Sequence, residues 1–195
     1  MNCKELCNPT ISGHIKIFEK ENPENVIFNE KNLILNGTSW LFSQLMYNNL
    51  GVQHGVWGLA VGGGDPAWDG AGSLVEPIVT DWNLIAPFPV PGPGRIALST
   101  SHFIDSTGLA VPWSTTVDFQ TNISTTIFPD LKGEAIRELG LIGGVQPSGS
   151  DFSHAPFFNS TAPSTDSVIL INLKRFQELT LPDGVNFIIS WQLAF

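Results

Sequence analysis

Charged side chains are scarce in this chain of 195 residues. They make up 14% of the sequence, against roughly 25% in ordinary soluble domains. The hydrophobic fraction of 42% is unexceptional, so the polar surface has to come from Asn, Gln, Ser and Thr. Because interface cores are depleted of charge, the composition fits a protein covered in part by neighbours as well as it fits a weakly charged monomer.

Basic side chains are the scarcest of all. The chain has nine Lys and Arg residues against 18 Asp and Glu residues, which gives a net charge of −9. Between Asn32 and Leu131 the only basic residue is Arg95. Proteins bind nucleic-acid phosphates with clustered Lys and Arg, so the sequence excludes nucleic acid as the main partner.

Cysteine and long apolar runs are also rare. Cys3 and Cys7 are the only cysteines, too few for a disulfide framework, and no second ligand pair nearby suggests zinc. We therefore expect a reduced, non-structural pair. No apolar run approaches the roughly 18 residues of a membrane span, and the N-terminus lacks the apolar region of a secretion signal. The sequence predicts a protein that is made in a cytoplasm and has no membrane partner.

Catalytic and ligand-binding motifs are missing. The chain has no G-x-S-x-G, and its four histidines are too far apart for a recognisable metal motif. The Gly-rich loop Gly62–Gly72 lacks the Lys of a phosphate-binding loop. Asp65 and Asp69 in this loop suggest either a Ca²⁺ site or a plain turn with Asx hydrogen bonds. Spatial triads escape sequence inspection, but the sequence predicts no enzyme, no cofactor and no metal.

Alternating apolar and polar residues predict several antiparallel strands. The last two are expected to pair across the turn Pro182–Gly184. The predicted strands cover residues 14–18, 26–28, 56–61, 117–128, 134–142, 168–173, 179–181 and 185–195, and the first two form a hairpin across the polar turn 21–25.

One short helix is predicted near residues 39–48, where apolar residues recur at helical spacing after the capping residues Asn36–Thr38. Many short strands with Gly and Pro turns indicate an all-β fold, an antiparallel β-sandwich or a jelly-roll-like domain. We expect a single domain over residues 13–195. Residues 1–12 are predicted to form an extended arm that is disordered or clasps a neighbouring subunit.

Six tryptophans accompany a single tyrosine. Trp40, Trp57 and Trp191 occupy apolar positions of predicted elements and are expected in the core. Trp68, Trp82 and Trp113 lie in turn-rich sequence, where an exposed indole anchors a protein interface or stacks on a sugar ring. Interface or core burial is the favoured role for these three.

Four prolines alternate with other residues between positions 87 and 93. This pattern favours a stiff, extended segment with few backbone donors. Such a segment suits a sheet edge or an excursion onto a partner. Pro89 and Pro91 therefore join Trp68, Trp82 and Trp113 as candidate interface residues.

The order of these features resembles small virion structural proteins of tailed bacteriophages, particularly tail, collar and baseplate-associated subunits. The matching stretches are residues 32–37 leading into the helix, 59–64, Leu74 with Glu76, 136–141 and 187–193. Residues 66–72 and 82–112 depart from this layout. The resemblance implies a homo-oligomeric subunit without a cofactor, assembled in the host cytoplasm and packed in the virion against other virion proteins. The alternative is a carbohydrate-binding tail-fibre module for host adsorption, with a glycan as partner.

Overall fold

Ten strands and one α-helix form the part of the protein that the structure describes. The computed structural model describes residues 11–47, 54–89, 92–145, 157 and 168–195. The elements are β1 (Ser12–Glu19), β2 (Val26–Ile34), α1 (Gly37–Tyr47), β3 (His54–Gly62), β4 (Arg95–Ala97), β5 (Thr100–Ile104), β6 (Ala110–Val111), β7 (Thr116–Ile123), β8 (Ala135–Val145), β9 (Val168–Thr180) and β10 (Phe187–Ala194). The strands follow the order β4-β3-β8-β9-β2-β1-β10-β7-β5-β6, and every pairing is antiparallel.

The continuous sheet folds into two halves that share one core. Sheet A contains β1, β2, β5, β6, β7 and β10, while sheet B contains β3, β4, β8 and β9. Strand β2 joins them, because its last residues pair with β9 instead of β1. Ile15 and Ile189 of sheet A lie in the same buried cluster as Leu59 and Leu141 of sheet B. The predicted all-β, sandwich-like fold is confirmed.

Strand β1 shows why one face of sheet A is directed to solvent. Ile15 and Ile17 are fully buried, whereas the alternating His14 and Lys16 are half-buried. Side chains of a strand point to opposite faces in turn, so the sequence pattern directs one face of β1 to the core. The predicted hairpin with β2 is confirmed, and β1 also pairs with β10 along its whole length.

Sheet B differs because β8 and β9 are buried on both faces. Leu141 and Ile171 belong to the main core between the sheets, whereas Ile142 and Leu170 belong to a second cluster on the other side of sheet B. A near-continuous apolar run is the sequence signature of a strand covered on both sides. Something must therefore cover the outer face of sheet B.

Helix α1 packs along β9, and the prediction of a single short helix is confirmed among the described residues. It begins at Gly37, two residues before the predicted start, and Thr38 Oγ1 donates to the Ile171 carbonyl at 2.8 Å. Leu41 is buried in the main core, but Trp40 is 44% exposed. The prediction of Trp40 as a core residue is wrong, because only one side of the helix contacts the sheet.

Strand β7 is shorter than predicted. The alternation of apolar and polar residues continues to Phe128, but the strand ends at Ile123. Ser124 stops it: its Oγ accepts a hydrogen bond from the Ile127 amide at 3.1 Å, and its carbonyl accepts one from the Phe128 amide. Ser side chains compete with ladder hydrogen bonds in this way.

The predicted pairing of residues 179–181 with the last strand is also wrong. Strand β9 continues to Thr180 and pairs there with Ala135 of β8, whereas β10 pairs with β1 and β7. The turn at residues 182–184 carries the chain from sheet B to sheet A instead of closing a hairpin. Thr125 fixes this turn by donating to Asp183 Oδ1 at 3.0 Å and accepting from the Gly184 amide.

Strand β1 meets sheet B at a tight junction. Asn172 of β9 is fully buried, and its Nδ2 donates to Asn32 Oδ1 at 3.1 Å. Gly13 lies directly against this amide pair, where a Cβ atom would collide with both side chains. The strand begins at Ser12, one residue inside the predicted arm, and residues 1–10 of that arm lie outside the described residues.

Candidate functional site

Residues 63–89, here called the cover segment, pass over the outer face of sheet B and end along the edge of β3. Leu84 of this segment belongs to the second cluster, with Ile142 and Leu170 of the sheet. Trp68 is 2% exposed. Its ring occupies the space that a Cβ atom at Gly64 would need, and Gly64 has a φ of 55°, a conformation that favours glycine. The cover segment is thus an integral layer of the fold.

An ion pair fixes the first part of the cover segment. Arg137 of β8 donates through Nη2 to Asp69 Oδ2 at 2.6 Å and through Nε to Asp69 Oδ1 at 3.0 Å. Asp69 Oδ1 also accepts the Glu178 amide of β9 at 2.9 Å. The hydrogen bonds from the Arg137 guanidinium, and to a lesser extent the one from the Glu178 amide, hold the pKa of Asp69 below its usual 3.8. The Asp69 carboxylate in turn raises the pKa of Arg137.

A second ionic group fixes the later part of the cover segment. Arg175 Nε donates to Glu138 Oε1 at 3.2 Å, and its Nη2 lies 3.1 Å from Asp81 Oδ2. Glu138 is fully buried, and its Oε2 accepts the amides of Ile85 and Ala86 at 2.8 and 3.2 Å. The Arg175 guanidinium also lies over the Trp68 ring, 5.4 Å from a ring centroid. Buried charges require such paired, hydrogen-bonded surroundings.

Between these anchors the cover segment forms a hollow of about 450 Å³ with Arg175 in its lining. Three apolar side chains at this hollow face solvent: Val75, Ile78 and Ile85 are 55%, 60% and 57% exposed. The lining also includes Trp82, which is partly buried and packs against the main core. We call this feature the apolar hollow. The exposed apolar area concentrated here makes the hollow a candidate interaction surface.

The candidate interface tryptophans have three different environments. Trp68 is buried, with Arg175 and Gly64 against its ring, which agrees with core burial, one of the two roles favoured for it. Trp82 lines the apolar hollow. Trp113 is 83% exposed, beyond β6 at the edge of sheet A. Of the predicted core tryptophans, Trp57 and Trp191 are buried as expected.

The proline-rich stretch runs along the edge of β3. Pro87 forms a bridge with Gly62, the Phe88 amide donates to the Val61 carbonyl at 3.0 Å, and the exposed Pro89 accepts the Gly94 amide at 3.2 Å. The sheet-edge interpretation is therefore confirmed for residues 87–89. Pro91 lies outside the described residues.

The solvent-side face of sheet A carries a polar cluster around Asp118. Ser190 Oγ and Gln120 Nε2 each donate to the Asp118 carboxylate at 2.6 Å, and His102 Nε2 lies 3.7 Å from it. In a Ser-His-Asp triad the histidine stands between serine and carboxylate. Here the carboxylate stands between Ser190 and His102, so the cluster does not present Ser190 to a histidine base.

A polar hollow of about 310 Å³ lies at one end of the same face. Hydroxyl, imidazole, carboxyl and amide groups of Ser12, His14, Asp105, Thr116 and Gln192 line it. Asp105 is already engaged, since its Oδ1 accepts the Thr107 hydroxyl and the amides of Thr107 and Leu109. These hydrogen bonds hold the pKa of Asp105 below its usual value.

The Gly-rich loop forms a turn with an Asx hydrogen bond. Asp65 caps a short 3₁₀ turn by accepting the Ala67 amide at 2.9 Å, while Asp69 is bonded to Arg137. Within the described ranges, no three His, Cys, Asp or Glu side chains gather in a group that could hold a metal ion. No helix in the described part of the chain has the length and apolar character to cross a membrane.

Sequence reasoning missed the apolar hollow and the two ion-pair anchors. Val75, Ile78 and Ile85 lie in a stretch without periodicity, and only their occurrence among turn residues could have drawn attention to them. Glu138 and Arg175 interrupt apolar strands, which is the available signal for a buried pair. Comparison with protein-family models, with curated proteins and with solved structures gave no match.

Proposed function

We propose that this chain is a structural subunit of a tailed-bacteriophage particle, in the tail, collar or baseplate region, and that the apolar hollow is one of its protein interfaces. The observation that carries the proposal is the exposure of Val75, Ile78 and Ile85 beside one concave surface. Burying such side chains against a partner is worth about 25 cal/mol per Å² of apolar area removed from water. The setting in a phage particle rests on the resemblance of the sequence layout.

The anchoring of the hollow supports an assembly role. Arg137 with Asp69, and Arg175 with Glu138 and Asp81, tie the cover segment to β8 and β9 before any partner arrives. A surface that is already ordered loses little conformational entropy on binding. This favours a permanent packing surface.

Particle incorporation tests the proposal. The chain, tagged at one terminus, is produced during infection by a phage that encodes it, and purified particles are analysed by quantitative mass spectrometry. We expect the chain in a fixed number of copies per particle. A variant combining Ile78→Asp and Ile85→Asp should remain folded by circular dichroism but be lost from particles. Wild-type chain that remains entirely in the particle-free fraction would contradict the proposal.

A carbohydrate-binding tail-fibre module is the second candidate. The polar hollow favours it, because hydroxyl and amide groups are suited to sugar hydroxyls, and Trp113 offers an exposed indole three residues before the lining residue Thr116. A glycan array should then give signals that Trp113→Ala and Gln192→Ala abolish. An array without binding by the wild type, or binding that neither change affects, would exclude this candidate.

A further inference from the structure

The solvent-side face of sheet A has a composition that complements the apolar hollow. Two rows of side chains cross this face in register over five strands. The first row contains Lys31, His14, Gln192, Asp118 and His102, and the second contains Asn29, Lys16, Ser190, Gln120 and Thr100. The carboxylate in these rows, Asp118, is buried and bonded to Ser190 and Gln120. The charge exposed by the rows is therefore positive.

Apolar side chains adjoin Lys16 on this face. Phe18 of β1 pairs with Ile188 of β10 on one side and with Val26 of β2 on the other, so the three residues share this face. Val26 is 38% exposed, and Lys16 Nζ lies 4.9 Å from the Phe18 ring centroid. We call Lys16, Phe18, Val26, Lys31 and Ile188 the lysine patch. Lys16 and Lys31 form no ion pair with any described carboxylate.

The rim of the apolar hollow carries the opposite charge. Glu76 is exposed there and forms no ion pair with the described residues. Asp81 is a second carboxylate of the lining, and Arg175, the cation of the lining, is held by Glu138 and Asp81. The net charge that the hollow presents to a partner is therefore negative. Complementary potentials of this kind guide encounter and fix register at protein interfaces.

The two surfaces lie on opposite sides of the sandwich. The lysine patch is on the outer face of sheet A, whereas the cover segment lies on the outer face of sheet B. They cannot meet within one molecule. Contact between different patches on two identical subunits is heterologous, and it produces a ring or an open filament.

We propose that the lysine patch of one copy of this chain docks on the apolar hollow of the next copy, so that subunits associate head to tail. Lys16 and Lys31 face Glu76 and Asp81, while Phe18, Val26 and Ile188 cover Val75, Ile78 and Ile85. The inference rests on the proposed function and adds the partner of the hollow, a second copy of this chain.

Sedimentation velocity of the purified wild-type chain over a wide concentration range tests the proposal. We expect concentration-dependent oligomers that weaken with added salt, because salt screens exposed charges. A patch variant with Lys16→Glu and Lys31→Glu, and a hollow variant with Ile78→Asp, should each associate about tenfold more weakly or worse. Leu109→Asp is the matched control, since Leu109 is 67% exposed on the β5–β6 turn and outside both surfaces.

Mixing the two variants gives the decisive result. Each variant keeps one intact surface, so an equimolar mixture should form heterodimers that grow no further. A wild type that remains monomeric at every concentration would overturn the inference, as would a mixture that remains monomeric or a control variant as weak as the other two. Particle incorporation tests the proposed function separately, so a chain that enters particles yet remains monomeric alone would refute head-to-tail contact only.

Discussion

The Glu138 carboxylate lies between the Arg175 guanidinium and the amides of Ile85 and Ala86, fully shielded from solvent. Glu138→Ala removes the acceptor of the Ile85 and Ala86 amides and leaves Asp81 as the remaining carboxylate partner of Arg175. Losing one partner of a buried ion pair costs about 3–5 kcal/mol of unfolding free energy. Glu138→Gln should cost less, because its amide oxygen still accepts a hydrogen bond.

Urea unfolding measures these differences. Glu134→Ala is the control, since Glu134 is exposed just before the same strand and surface changes usually fall within about 0.5 kcal/mol. Equal unfolding free energies for the Glu138→Ala and Glu134→Ala variants would show that the buried pair does not anchor the cover segment.

The ion pair between Arg137 and Asp69 makes the stability of the folded protein depend on pH. The pKa of Asp69 is lower in the folded protein than its usual 3.8, so the ionised carboxyl group favours folding. This contribution is complete above the usual value and is lost as the pH falls through the lowered pKa. Asp69→Asn should therefore lower Tm at neutral pH, and the difference from wild type should shrink in acid. Thermal melts at several pH values measure this difference in Tm. Asp130→Asn is the control, because Asp130 is exposed. A difference that is independent of pH would contradict the assignment.

Gly13 should tolerate no side chain. A Cβ atom there collides with the Asn32 and Asn172 amides, which join the two sheets. We expect Gly13→Ala to cost about 1–3 kcal/mol, as overpacked sites do. Gly55→Ala is the matched control in another strand, because nothing lies within 4 Å of its added methyl group. Chemical denaturation of both variants should separate them, and a Gly13 variant as stable as the Gly55 variant would contradict this junction.

Two tryptophans give a contrast in burial. Trp191 is fully buried in the core, whereas Trp113 is 83% exposed. Trp191→Ala should lose about 3–5 kcal/mol of unfolding free energy, and Trp113→Ala should remain within about 0.5 kcal/mol of wild type. Thermal and urea unfolding provide the comparison. Similar losses of unfolding free energy in the two variants would contradict either the burial of Trp191 or the exposure of Trp113.

The sequence predicted the sandwich-like fold because strand periodicity is local. Ile15 and Ile17 alternate with polar residues, and that spacing alone directs them to the core. The pairing of strands, in contrast, is not a local property. Whether residues 179–181 meet β10 or β8 depends on contacts far away in the chain, and the turn residues at 182–184 suit either path.

The candidate site was less predictable for a related reason. Trp68 and Trp113 both lie in turn-rich sequence, yet one is enclosed by Arg175 and Gly64 while the other faces solvent. Composition near each residue does not distinguish them, because burial in the cover segment depends on strands β8 and β9, more than 60 residues later for Trp68.

The pairing of β1 with β10 determines when this protein can fold. Sheet A places Ser12 beside Ala194, so its central ladder joins the first described strand to the last. On the ribosome β1 and β2 emerge early and must wait, with their apolar face uncovered, until β10 has been synthesised. Topologies dominated by such distant contacts fold slowly. The nascent chain therefore passes through an interval in which Ile15 and Ile17 are open to aggregation or to a chaperone.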